Sequence, residues 1–250
     1  MTGDRRIVPA GVGRGDLCDA QWTRLEPHLP KNVGRGGRWK CHHKVINGIL
    51  FRQRTGIPWR NLPTRFGKWR TCHDRHRRWS ADGTWEKVLR AVQTDAEGRI
   101  DWSMVGIDST TCRPLAVLIT PGPWADAPQP IPVLERVRVP RAGDGHPLTR
   151  PDHLSGDKAY SSRRNRRYLR RRQIKHTIPE PRSQRANRQH RGSRGVRPTG
   201  FDKSLYKRRN EVERTVNALE ESRAVATRYD KRAYVFHGTV TLAAIRLWLR

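Results

Sequence analysis

The chain predicts a mixed α/β protein, helical in its first hundred residues and strand–helix alternating beyond. Three observations carry that reading. Apolar residues recur at helical spacing up to Val92. Short apolar runs, two of which end in an aspartate, then alternate with amphipathic stretches. Basic residues are spread along the whole chain, giving a net charge of +29 on 250 residues.

Residues 1–15 are polar and glycine-rich and are expected to be disordered. Asp19 is placed to cap a short helix with Trp22, Leu25 and Leu29 inward, stopped by Pro30. Gly34 to Gly37 form a basic loop. A second helix runs from about Lys40 to Thr55, with Val45, Ile46, Ile49 and Leu50 as its buried face and Gly56 as its stop. The turn Ile57 to Pro63 leads to a third helix near Thr71 to Ala81, and a fourth begins at Thr84 with Trp85, Val88, Leu89 and Val92. Residues 16–99 thus form an all-α segment. Its basic third helix suits a helix-turn-helix-like reader with Arg70, Arg75, Arg77 and Arg78 facing DNA. The plainer reading is that those arginines only solvate a helix.

From Ile100 the pattern changes. Trp102 to Asp108 predicts a buried strand ending in a carboxylate, and Pro114 to Thr120 a second strand closed by Pro121-Gly122. A helix carries Val133, Leu134 and Val137. His153 to Asp157 is a further strand ending in a carboxylate, after which Ser161 or Ser162 caps a basic helix reaching about Gln173. Ile174 to Ile178 is the last strand. Gln184 to Thr199 is expected to be a loop that orders on a phosphate backbone. Two helices close the chain, Tyr206 to Glu220 and Ala233 to Leu249.

So large a positive charge opposes compaction unless a polyanion neutralises it, and nucleic acid is the partner expected. Histone-like packaging is the alternative, but nine tryptophans and clear apolar strands argue for an ordinary folded core. Four separated cysteines without a C-x-x-C pair fit a reducing cytoplasm, and their spacing with nearby histidines matches no zinc motif. No apolar run approaches a membrane span.

The chemistry lies in three carboxylates. Asp108 and Asp157 each end a strand, where neighbouring strands of one sheet present them side by side. Glu213 lies on a helix that places Tyr206, Arg209, Glu213 and Glu220 on one face, apart from the apolar stripe of Val212, Val216 and Leu219. Carboxylates so grouped suit a pair of divalent ions acting on a phosphodiester, and the arginine suits a phosphate. Any one of the three alone is an ordinary strand end or charged helix. Together, on so basic a chain, they point to a site.

The phrases Val105-Gly-Ile-Asp108, Ser155-Gly-Asp157-Lys-Ala-Tyr160 and Tyr206-x2-Arg209-x3-Glu213 resemble the DDE transposases of bacterial insertion sequences, in the insertion-sequence-five-like branch. Trp59-Arg-Asn-Leu-Pro63, Arg163 to Leu169, Ile178 to Pro181 and Ala226 to Lys231 are also similar to that branch, so the likeness covers nearly the whole chain. It implies a ribonuclease H-like catalytic domain over residues 100–250, with Asp108, Asp157 and Glu213 as catalytic metal ligands for Mg²⁺ or Mn²⁺. It further implies that Tyr206 and Arg209 contact DNA near the cleaved phosphate. Arg163, Arg164 and Arg167 join them as DNA contacts. The partners so implied are the element's terminal inverted repeats and target DNA, met by a homo-oligomer on DNA at the nucleoid of a bacterial cytoplasm, with no membrane.

Two positions depart from the family pattern. A lysine expected seven residues after the signature glutamate is Glu220 here, an anion where a phosphate-pairing cation belongs. Only Ser109 to Arg113 separates Asp108 from the next expected strand, so the chain reads as internally truncated near 109–113. The alternatives to a working transposase are an inactive relic that still binds DNA and a metal-dependent nuclease without strand transfer.

Overall fold

The computed structural model describes residues 13, 15–31, 39–94, 100, 102–103, 105–106, 113–121, 124, 127–141, 143, 145–195, 198, 200–207 and 210–250, with the side chains of 210–214 left out. Its first helices are α1 (Asp19–Leu25), α2 (His42–Thr55), α3 (Trp69–Ala81) and α4 (Thr84–Ala91). Asp19 is the first helical residue rather than the cap. Cys18 holds the cap position, and its N–H donates to Gln21 Oε1 at 3.1 Å. Gly56 ends α2 as expected: at φ 70° it turns its N–H back to the Arg52 carbonyl at 2.8 Å.

The next elements are β1 (Val105–Gly106), α5 (Pro130–Arg136), β2 (His153–Ser155), α6 (Arg163–Arg171) and β3 (Lys175–Thr177). They are followed by α7 (Arg182–His190), α8 (Lys203–Lys207), α9 (Asn210–Glu220), α10 (Arg223–Ala226) and α11 (Ala233–Trp248). The strands form a parallel sheet in the order β1-β2-β3, in which Gly106 lies level with Ser155 and Ser155 with Thr177. Parallel neighbours bring all their carboxyl ends to one edge.

Two further expectations are corrected. The segment 114–121 is not a strand. Its carbonyls are taken by side chains instead: Pro114 accepts from Trp248 Nε1 at 2.8 Å, Leu115 from Gln93 Nε2, and Val117 from His237 Nε2 at 3.2 Å and Arg136 Nη1. The apolar run Leu-Ala-Val-Leu-Ile misled because only Leu115 is buried and the other four residues are half-buried, so the run reflects partial packing and not a strand. The expected loop after Gln184 is in large part α7, whose nine residues bury no side chain and so give no apolar period to read. The expected helix from Tyr206 to Glu220 is described as α8 and α9, with residues 208–209 between them outside the described residues.

The helices at the two ends of the chain share one packing unit. α11 is buried over almost its whole length, Val240, Leu242 and Ile245 included, and packs on α2, α3 and α4. The buried apolar cluster continues from these helices into the sheet through Val105, Leu154 and Ile178.

A polar chain crosses this helical core. Arg52 pairs bidentately with Asp230 at 3.1 and 3.3 Å, both nearly fully buried. Thr239 Oγ1 donates to Asp230 Oδ2 at 2.8 Å. An indole N–H only donates, so Trp85 Nε1 fixes His76 Nδ1 as the acceptor, leaving Nε2–H to donate to Thr239 Oγ1 at 3.0 Å. Burial pushes the His76 imidazole from 6.5 down to about 4, against the attraction of Asp230, so the ring is neutral in the fold.

Candidate functional site

Asp157 stands at the carboxyl edge of the sheet, two residues past the end of β2. The ladder reaches it through Gly156, whose N–H donates to the Thr177 carbonyl at 3.4 Å. Beneath it Ser155 is fully buried, and its hydroxyl has no hydrogen-bond partner among the described residues. Asp157 then caps a 3-10 turn, Lys158–Tyr160, with Oδ1 accepting from the Lys158 N–H at 2.6 Å. Tyr160 is buried in the core, which anchors the turn. Ser162 caps α6 by accepting from the Asn165 N–H, settling the choice left open between Ser161 and Ser162. The carboxylate is therefore half-exposed, held from below by the sheet and from behind by the turn.

Asp108 and Arg209 lie outside the described residues, and Glu213 is described as a backbone position on α9 only. Tyr206, on α8, is half-buried with its ring 5.1 Å from that of Phe201. Among the described residues no three His, Cys, Asp or Glu side chains converge as a metal cage.

Most of the arginines expected to meet DNA are at the surface. Arg163, Arg164 and Arg167 project from α6 into solvent. On α3, Arg77 and Arg78 are exposed, and Arg70 is exposed beside Asp74 at 3.8 Å. Arg75 is not free for that role. It is buried, its guanidinium 4.4 Å from the Trp39 ring and 5.2 Å from that of Trp79. Its Nη1 donates to His42 Nδ1 at 2.7 Å, while His42 Nε2 donates to the Pro30 carbonyl. Arg75 shares the inward face of α3 with Cys72, His76 and Trp79, a spacing that the sequence shows once the apolar face is drawn. Burial lowers its pKa, as it does that of Arg166, which donates inward to Ser161 Oγ and the Ile178 carbonyl.

The basic stretch after Pro181, expected to meet a phosphate backbone as a loop, is carried in large part on the helix α7. Arg182, Arg185 and Arg191 are exposed around it, and Arg188 pairs with Glu180. Gln184 ties the helix back to Ser161. Pro181 at its cap position was the available signal.

The model of the putative transposase of IS4/5 family matches residues 17–89, and that of the transposase DDE domain matches residues 68–248. An insertion element IS402 uncharacterized 16.2 kDa protein of Burkholderia cepacia is 36% identical over 108 residues, covering 39% of this chain and 72% of the relative. A putative transposase for insertion sequence element IS402 from the same organism is 33% identical over 125 residues, covering 50% of this chain and 51% of that protein. An uncharacterized protein of Sinorhizobium fredii is 32% identical over 98 residues, covering 39% and 75%. No solved structure matches the chain. Among the described residues no helix is long and apolar enough to cross a membrane. With the match over residues 68–248 taking in well over half of its length, the chain belongs to the transposase DDE domain family, of the IS4/5 type.

Proposed function

We propose that this chain is the transposase of a bacterial insertion sequence, which binds the element's terminal inverted repeats and cleaves and transfers DNA strands with Mg²⁺, in the bacterial cytoplasm and as a homo-oligomer on DNA. One observation carries the reading. β1 and β2 are parallel neighbours with Gly106 level with Ser155, and in sequence Asp108 and Asp157 each follow those residues by two. The same parallel edge supports a ribonuclease H-like core, and the exposed Arg77 and Arg78 support α3 as the reader of a helix-turn-helix-like unit.

DDE transposase domains depend on divalent metal, and the donor at this edge fits one: Asp157 offers hard oxygens, half-exposed, at the cap of the turn that follows β2. Asp108, Asp157 and Glu213 are the residues that would hold it. Bound there, Mg²⁺ or Mn²⁺ would supply Lewis-acid polarisation of the phosphodiester and a lowered pKa for attacking water. The chain's own part is positional. The Lys158 N–H fixes one Asp157 oxygen. Tyr206 and Arg209 meet the DNA beside the cleaved phosphate, and Arg163, Arg164 and Arg167 hold its backbone. Hydrolysis frees a 3′-hydroxyl, which then attacks target DNA at the same site. A strand-transfer assay separates this from a plain nuclease.

A second reading is an internally deleted copy that binds DNA without catalysis. The observation favouring it is that 114–121 is irregular, and that β1 has no partner on its far side among the described residues.

Affinity for element-end DNA measured across a salt series tests the shared part of both readings. The logarithm of affinity should fall steeply with that of salt, by roughly 0.9 per phosphate contacted. Arg77→Ala with Arg78→Ala should weaken binding to terminal repeats more than to random duplex. An affinity flat in salt would contradict the reading, and an equal loss on both DNAs would leave the arginines as backbone contacts.

A further inference from the structure

The loop between α10 and α11 has a feature that the carboxylate edge does not use. Over residues 228–234 the loop and the first two residues of α11 read Arg-Tyr-Asp-Lys-Arg-Ala-Tyr. Its one acid, Asp230, is turned inward and consumed by Arg52 and Thr239. What remains outside is cationic and aromatic. Tyr229 is 60% exposed and Tyr234 36%, and Arg228, Lys231 and Arg232 are all exposed. None of the three cations pairs with a carboxylate among the described residues. Arg232 donates to the Tyr234 hydroxyl at 3.2 Å, and the Arg228 guanidinium lies 5.5 Å from the Phe236 ring.

The loop is also held rather than loose. Asp230 is clamped to α2 and α11, and Arg228 adopts φ 49°, a left-handed conformation that a side-chain-bearing residue keeps only when its surroundings impose it. Tyr229 reaches over the end of α2, where a Cβ added at Gly56 would stand 3.8 Å from its Cε2. An aromatic ring left mostly in water, on a fixed backbone, between unpaired cations, has the chemistry that takes a nucleobase face and its flanking phosphates. In intact duplex the base faces are already stacked, so the ring's complement is an unpaired base.

We propose that this loop is a second DNA contact, in which Tyr229 stacks on an unpaired base and Arg228, Lys231 and Arg232 hold the neighbouring phosphates. The inference rests on DNA being the substrate and adds a preference for melted or single-stranded DNA.

Fluorescence anisotropy with a labelled oligothymidylate and a random duplex of equal length tests it on the full chain. Tyr229→Ala should weaken single-strand binding by about tenfold and duplex binding by less than about twofold, with Tyr229→Phe close to the unsubstituted protein on both. Lys231→Ala with Arg232→Ala should weaken both and flatten the salt dependence. An unchanged single-strand affinity for Tyr229→Ala, with duplex binding normal, overturns the stacking site and leaves the transposase reading standing. A loss shared equally by both DNAs, together with a lowered melting temperature, marks Tyr229 as a packing residue and also overturns it. If the unsubstituted chain binds neither DNA, the transposase reading itself fails.

Discussion

Asp157→Asn is expected to lower Mg²⁺-dependent cleavage of element-end DNA by more than about a hundredfold, since loss of an outer hydrogen bond to a metal ligand already costs about 10–100-fold. DNA affinity should stay within about twofold, because the change removes one negative charge from a strongly basic surface. The amide still accepts from the Lys158 N–H, so the 3-10 turn and the cap of α6 are kept. Asp108→Asn and Glu213→Gln should act alike, and Glu211→Gln should be harmless. If Glu211→Gln were the damaging change, the assignment on α9 would be wrong. Cleavage by Asp157→Asn at the unsubstituted rate would remove Asp157 from the site.

Arg52→Met is expected to destabilise the fold by roughly 3–5 kcal/mol, because it leaves the Asp230 carboxylate buried without its cation. Thermal or urea unfolding measures this. Replacing Asp230 by leucine as well should recover much of the loss, since the uncompensated charge then disappears with its partner. Acid should act on the same chain of bonds. The folded His76 pKa is depressed, so the unfolded chain takes up its proton first; the stability that the neutral ring contributes is full above about 6.5 and is lost as pH falls toward about 4. A His76→Gln protein whose stability fell over that window as steeply as the unsubstituted chain would assign the loss to another group.

The sequence made the helices and the three strands of the sheet legible and misjudged the segments 114–121 and 182–190, for physical reasons. Val45, Ile46, Ile49 and Leu50 on α2, and Trp85, Val88 and Leu89 on α4, carry an unbroken helical period, and all are buried. Asp157 was readable because a short apolar strand and a Ser cap bracket it. Residues 114–121 were not, since an apolar run of this length reads the same for a strand and for an irregular segment packed on one side only. α7 carries no buried side chain, so its only marks were Pro181 and an absence of strand formers. Arg75 was misassigned by composition, because a guanidinium stacked between two tryptophans looks in sequence like its exposed neighbours Arg77 and Arg78. The clamp of Arg52, Asp230, Thr239 and His76 joins residues far apart in the chain and leaves no local pattern.

The central claim is that Asp108, Asp157 and Glu213 hold divalent metal together, and it is tested most directly without asking whether the chain is an active catalyst. Fe²⁺ can replace Mg²⁺ at oxygen-donor sites, and with ascorbate and peroxide it cuts polypeptide near where it is bound. Mass spectrometry of the fragments should show cuts close to Asp108, Asp157 and Glu213 in the unsubstituted protein, suppressed by excess Mg²⁺ and lost together in Asp157→Asn. Cuts confined to other parts of the chain, or a pattern in Asp157→Asn identical to that of the unsubstituted protein, would contradict a shared three-carboxylate site.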